Sequence, residues 1–313
     1  MHKMFSDSIS RRQLLAMAGA AAACAVLPRV SALGQPATTT ASTQASPLNQ
    51  RYKVAACDWI MLKRQKLGAI QLAKDCGLDG VEVDMGGLGD RPTFDNQLVK
   101  PEIRQQFLDK SRDLGIEICS LAMSGFYAQS FPTREGIEKV IQDCLDTAKL
   151  MNVKTAFLPL GVRGDLVKYP ELRPAVVERL KLIAPNAEKA GVTIGIETAL
   201  DAEGDKKLLD DIASPALRIY FNFSNALQND RDLYKELRTL GKDRICQIHC
   251  TDQDGALLEN DPKIDMKKAK ATLDDLGWSG WLVLERSRDA KRSRDVKYNF
   301  SSNARYVKSV FQT

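Results

Sequence analysis

From Lys53 onward the chain alternates two kinds of segment. Short runs of aliphatic, aromatic and β-branched residues read as strands: KVAAC (53–57), GVEVDM (80–85), IEICSLAM (116–123), KTAFLPL (154–160), VTIGIET (192–198), LRIYFNF (217–223), ICQIHCT (245–251) and WLVLERS (281–287). Between them, apolar positions recur every three or four residues. This spacing predicts amphipathic helices over 66–76, 101–114, 134–151, 174–190, 231–240 and 267–276, a short one near 205–212 and a last one from 303 towards 311. Gly77, Gly115, Gly191 and Gly277 follow four of these stretches as helix C-caps. Eight strand–helix units in succession predict an α/β fold, a single (β/α)8 barrel over residues 51–313. An open doubly wound sheet is disfavoured, because no strand runs into a glycine-rich phosphate loop.

In such a barrel alternate strand residues point to the axis, and chemistry gathers at the C-terminal strand ends. On the fifth strand Ile194 and Ile196 suit the helix layer, which turns Gly195 and Glu197 inward. The same phase places Tyr220 and Asn222 inside on the sixth strand, Gln247 and His249 on the seventh, and Val283 and Glu285 on the eighth. Ile219, Phe221, Phe223, Cys246, Ile248, Cys250, Leu282 and Leu284 are expected to face outward. Four adjacent strands thus each offer a metal-capable side chain: Glu197, Asn222, His249 and Glu285. Burying four such groups in phase without a cation or hydrogen bonds costs several kcal/mol each, so together they mark a site where any one alone would not. Glu82 and Asp84 point inward on the second strand, either towards substrate hydroxyls or into a core ion pair with a lysine or arginine. Trp59, at the end of strand one, could form an apolar wall of the site. Arg163 and Arg286 lie just past strands four and eight, where they could clamp an anionic group, and Asp252 could support His249 from behind.

Composition narrows the partner. The formal charge of +5 includes Lys3, Arg11, Arg12 and Arg29 against Asp7 in the first 34 residues, so the remainder carries +2. A nearly neutral body offers no electrostatic case for nucleic acid as partner. Residues 1–34 read as a twin-arginine export signal. Ser10-Arg11-Arg12-Gln13-Leu14-Leu15 precedes an uncharged stretch to Leu27, too short for the roughly 20 residues a membrane span needs, and Val30-Ser31-Ala32 offers a cleavage point. A lipoprotein signal at Cys24 fits less well, since Ala21 stands where a large aliphatic residue belongs. Residues 35–50, rich in Thr, Ser, Ala and Pro, read as a disordered linker. The destination is then outside the cytoplasm, most simply the periplasm. The six cysteines beyond Cys24 show no disulfide-scaffold spacing and are expected as buried thiols.

The segments GIETAL (195–200), YFNFSNAL (220–227), IHCTDQDG (248–255) and WLVLERSRD (281–289) resemble the xylose-isomerase-like barrels known as sugar phosphate isomerases/epimerases, from about residue 53 to the C-terminus. The resemblance implies that Glu197, His249 and Glu285 are ligands of a divalent cation (Mn, Mg, Co or Zn), and that the two glutamates are an acid/base pair. It implies a fourth ligand on strand six, usually an aspartate in a pattern such as D-x-G-N. Here Asn222 stands there, with Ser224 and Asn225 after it, and the family's H-x-K-D has Thr251 in the lysine position. Asn222 can coordinate through its amide oxygen but brings no charge, which leaves two readings: a weaker metal site, or a pocket that has lost its metal.

Such a site suits isomerisation or epimerisation through an enediolate, one carboxylate taking the proton next to a carbonyl and another returning it. The exported location favours a non-phosphorylated sugar or keto-sugar as the small-molecule substrate. Two alternatives remain open: a lyase or hydratase acting on a 3-keto-glycoside with the same residues, and a catalytically degenerate sugar-binding barrel. A three-zinc nuclease on this kind of barrel is excluded, because it needs several histidines and His249 is the only one beyond residue 2.

Overall fold

A computed structural model describes residues 51–313; the expected export signal (1–34) and linker (35–50) lie outside the described residues. Eight parallel strands close on themselves in chain order: β1 (Tyr52–Cys57), β2 (Gly80–Asp84), β3 (Glu117–Ala122), β4 (Thr155–Pro159), β5 (Thr193–Glu197), β6 (Leu217–Asn222), β7 (Ile245–His249) and β8 (Gly280–Leu284). The register of β1 with β8, from Tyr52–Gly280 to Ala56–Leu284, completes the circle and leaves no free sheet edge.

Nine helices surround the strands among the described residues: α1 (Gly68–Asp75), α2 (Pro101–Leu114), α3 (Ile137–Leu150), α4 (Arg173–Ala190), α5 (Ala202–Ile212), α6 (Phe223–Leu227), α7 (Leu233–Leu240), α8 (Met266–Leu276) and α9 (Val296–Phe311). Seven correspond to the amphipathic stretches seen in the sequence, and α9 begins seven residues before the predicted start. Helix α6, unpredicted, is a single short turn at the end of β6. Asn222 nucleates it by accepting the Ser224 N–H on its side chain. Gly77, Gly115, Gly191 and Gly277 all adopt left-handed backbone, with φ between 62° and 75°, which is why glycine ends these helices.

The outward residues of the strands join one continuous core with the helices, including Ile194, Ile196, Ile219, Phe221, Ile248, Cys250, Leu282 and Leu284. The barrel axis holds a second, smaller cluster of Ala55, Cys57, Cys119, Ala122, Phe157, Tyr220 and Val283. Its small members make room for three rings in mutual contact. Phe157 lies 4.6 Å from Tyr220 and 4.8 Å from His249, and Tyr220 lies 4.5 Å from His249.

Two register shifts change the simple alternation. Val81 pairs with Ile118 but Glu82 with Ser120, so Cys119 is an extra residue. Likewise Ile219 pairs with Ile245 but Tyr220 with Gln247, so Cys246 is extra. Cys246 therefore packs against the axis cluster, not outward as strict alternation predicts. The shift on β3 brings Ser120 level with Glu82. All six cysteines of the described residues are free thiols, five of them buried and Cys246 half-buried.

Gly195 shows how tight this interior is. A Cβ there would sit 2.6 Å from Cys246 Sγ and 3.0 Å from the Tyr220 ring. Gly195→Ala is expected to destabilise the barrel by about 1–3 kcal/mol through overpacking, read as a lower midpoint in chemical denaturation with an unchanged slope.

Candidate active site

At the C-terminal mouth of the barrel the strands β2, β5, β6, β7 and β8 bring Glu82, Glu197, Asn222, His249 and Glu285 together, all buried. His249 is central. Its Nδ1 lies 3.1 Å from Glu197 Oε2 and 3.9 Å from Glu285 Oε2, and its Nε2 lies 3.1 Å from Glu82 Oε1. Glu82 is itself held by the Ser120 hydroxyl (2.7 Å) and the Tyr220 hydroxyl (2.9 Å) on Oε2, and by the Cys57 thiol (3.4 Å) on Oε1. Two donors then join the pair of glutamates that faces the opening. The Tyr127 hydroxyl lies 3.1 Å from Glu197 Oε1 and 3.4 Å from Glu285 Oε1. The Asn222 amide nitrogen lies 2.8 Å from Glu197 Oε2 and 3.4 Å from Glu285 Oε2.

The charges follow from this geometry. Burial opposes a charge on His249, but its bonds to Glu197 and Glu82 outweigh burial and push its pKa up to about 10. Burial is also the main reason the Glu285 carboxyl is raised, reinforced by Glu197 and offset by His249 and Arg286. Burial, with the charges of Glu197 and Glu285 behind it, drives the Tyr127 phenol well above its ordinary value, so it remains a donor. Three carboxyl groups gathered around one imidazole make an oxygen-rich acidic cluster, which suits a cation.

On the Nδ1 side the chemistry of the side chains, two carboxyls and one imidazole nitrogen, is of the kind that holds divalent ions. Glu197, Glu285 and His249 Nδ1 converge there, while Glu82 holds the opposite ring N–H, the usual support for a metal-binding imidazole. Cys57 Sγ, Glu82 and His249 Nε2 also lie within 4.8 Å of one another, a second group of metal-capable atoms. That group suits a metal less. It is wholly buried, its carboxylate oxygens are already engaged, and burial, with Glu82 next in effect, raises the Cys57 thiol so that it keeps its proton.

Above the glutamates opens a cavity of about 470 Å³. Tyr127 lines it from the turn after β3, Gly161, Val162 and Lys168 from the loop after β4, Thr198 from just past β5, Asn225, Gln228 and Asn229 from the segment after β6, and Arg286 from just past β8. Of the residues singled out in the sequence around the four inward groups, Asn225 and Arg286 line this cavity. Asn225 also ties α6 to the end of β5 through the Thr198 carbonyl (2.9 Å). Glu82 lies beneath the cavity, as the partner of His249. Asp84 forms the ion pair that was the other expectation for it, with Arg64 at 3.3 Å, and burial, opposed by Arg64, raises its pKa to about 6. Trp59 does not line the cavity; its ring lies parallel to Phe157 at 6.4 Å. Arg163 is exposed on a short turn, outside the cavity. Asp252 is buried near Lys263 (3.9 Å) and makes no bond to His249, so Glu82 fills the supporting role expected of Asp252. The sequence reading passed over Tyr127. Its only signal was an aromatic in the loop after a barrel strand, where such a fold builds its site.

Three comparisons bear on this arrangement. A family profile described as xylose isomerase-like TIM barrel matches residues 70–309. The 2-epi-5-epi-valiolone 7-phosphate 2-epimerase of Actinoplanes sp. is 25% identical over 207 residues, 64% of this chain and 72% of that protein. Among solved structures, a D-psicose 3-epimerase with D-fructose superposes with a TM-score of 0.68 at 11% identity, covering 83% of this chain and all of that one. The 3-keto-D-glucoside 4-epimerase of E. coli superposes with a TM-score of 0.63 at 14% identity, covering 83% and 99%. At these identities the two superpositions establish the shared fold.

With only two histidines in the chain, the state of His249 is directly readable. Because its pKa is raised from 6.5 to about 10, its contribution to stability is fully present below pH 6.5 and is lost as the pH rises through 10. In chelator-treated protein, the His249 ring signals in NMR titration should stay in the protonated position through neutral pH. Glu82→Gln should bring the midpoint down by at least one pH unit.

Proposed function

The chain belongs to the xylose isomerase-like TIM barrel family, and on that premise we propose that it is a sugar isomerase or epimerase acting on a non-phosphorylated sugar or keto-sugar. The observation that carries this reading is the pair Glu197 and Glu285 at the floor of an open polar cavity, bridged by a single phenol and a single amide. Proton removal next to a carbonyl needs one carboxylate to take the proton and an acid to return it, both within reach of the same carbon.

Glu197, His249 Nδ1 and Glu285 would hold a divalent cation. Such a cation supplies polarisation of the carbonyl and stabilises the charge that develops on its oxygen. The chain's own residues supply the rest. Glu197 takes the proton, steadied by Tyr127 and Asn222. Glu285, beside it at the floor of the cavity, returns a proton to the substrate carbon. Glu82, fixed by Ser120 and Tyr220, keeps the His249 ring in one orientation. The amide side chains of Asn225, Gln228 and Asn229 at the cavity wall offer both donors and acceptors to sugar hydroxyls.

Export through the twin-arginine signal, part of the same proposal, favours a neutral substrate, since sugar phosphates are scarce outside the cytoplasm. The unaltered chain should appear in the periplasmic fraction, and replacing Arg11 and Arg12 by lysine should leave the precursor in the cytoplasmic fraction. Turnover is tested by incubating D-fructose, D-psicose and a 3-keto-glucoside with protein in D2O. Deuterium should enter next to the carbonyl, and Glu197→Gln and Glu285→Gln should each slow its uptake by about 100-fold or more. Release of the aglycone from the 3-keto-glucoside would instead assign a lyase. No exchange with any of the three sugars, with or without Mn²⁺, sinks the acid/base reading.

A further inference from the structure

We infer that Asn222 is a hydrogen-bond cross-link and not a cation ligand, so that β6 adds neither charge nor lone pair to the donor set for a divalent ion. The inference rests on Glu197, His249 and Glu285 as the donor set and adds what β6 contributes to it.

The orientation of the amide is decided by the backbone. The Ser224 N–H donates to the Asn222 side-chain oxygen at 2.9 Å, capping α6. A backbone N–H can only donate, so the atom it meets is Oδ1, and Nδ2 is the atom that turns to Glu197 (2.8 Å) and Glu285 (3.4 Å). Nδ2 carries two protons and offers no lone pair to a metal. Turning the amide over would set its nitrogen against the Ser224 N–H and its oxygen against two carboxylates, so two contacts would become repulsive at once. Coordination through Oδ1, the route expected from the sequence, is thus opposed from both sides.

The same bonds give the amide a role of its own. It supplies donors to the two carboxylates that face the cavity and so holds them near one another when no ion neutralises them. The donor set is left with two carboxylates and one imidazole nitrogen, a small charge for a divalent ion. An aspartate at this position is nearly the same shape. It would keep one oxygen on the Ser224 N–H and present the second, with its lone pairs and charge, to the ion.

The test uses the full chain freed of metal by chelation and titrated with MnCl2, following heat by calorimetry and free Mn²⁺ by electron paramagnetic resonance. Asn222→Asp should bind one Mn²⁺ at least tenfold tighter than the unaltered chain, or bind it where the unaltered chain takes up none. Asn222→Ala, which lacks amide and oxygen alike, should bind within threefold of the unaltered chain. A loss of tenfold or more in Asn222→Ala, with its fold intact by circular dichroism, would show that the amide oxygen ligates and overturn the inference. Equal or weaker binding by Asn222→Asp would overturn it too, and that variant decides the matter if Asn222→Ala does not fold. If no variant takes up Mn²⁺, the cation reading of Glu197, His249 and Glu285 falls, and the inference with it.

Discussion

The imidazole of His249 stands between Glu82 at Nε2 and Glu197 at Nδ1, each 3.1 Å away, in a position with no access to solvent. A buried ring facing a carboxyl on both nitrogens carries two protons, meets a protonated carboxyl at one of them, or gives one of those positions to a metal. Every other group in the site is arranged around that choice. Glu82 is shielded from the cavity and saturated by Ser120, Tyr220 and Cys57, so its partner nitrogen is fixed. Glu197 and Glu285 lie on the open side, where their bonds to Tyr127 and Asn222 can be exchanged for bonds to an ion or a substrate. One end of the ring is therefore structural and the other is available for chemistry.

That division depends on the barrel interior beneath it. Room for the rings of Phe157, Tyr220 and His249 exists because Ala55, Cys57, Ala122 and Gly195 are small. The extra residue on β3 places Ser120 opposite Glu82, and the extra residue on β7 aligns Tyr220 with Gln247 and Asn222 with His249. Without these shifts the hydroxyls that hold Glu82 would not come from the strands that provide them. Packing at the axis and hydrogen bonding at the mouth are one problem, solved by the same few residues.

The wall of the cavity has a different character from its floor. The floor is acidic and buried, while Asn225 lies within the short helix that Asn222 begins and Gln228 and Asn229 follow it. Asn222 thus joins the two regions. One atom of its amide starts the segment that carries the wall amides, and the other holds the two carboxyls that face the cavity. A change at this position is felt in both.

The sequence by itself determined the eight strands, most of the helices with their glycine caps, and the inward phase of Glu197, Asn222, His249 and Glu285. Alternation along a strand and the 3.6-residue period are local properties, and a closed barrel converts them directly into an inside and an outside. What alternation cannot register is a residue that interrupts it, so Cys246 was assigned the wrong face. Which partner a polar group meets across the barrel was also beyond its reach. Glu82 and His249 are 167 positions apart, and Tyr127 meets Glu285 from 158 positions away. Proximity in sequence favoured Asp252 as the support for His249, and only the closed barrel brought β2 beneath β7 to give that place to Glu82. The direction of the Asn222 amide was decided last, by one backbone N–H that exists only because the chain turns into a helix there.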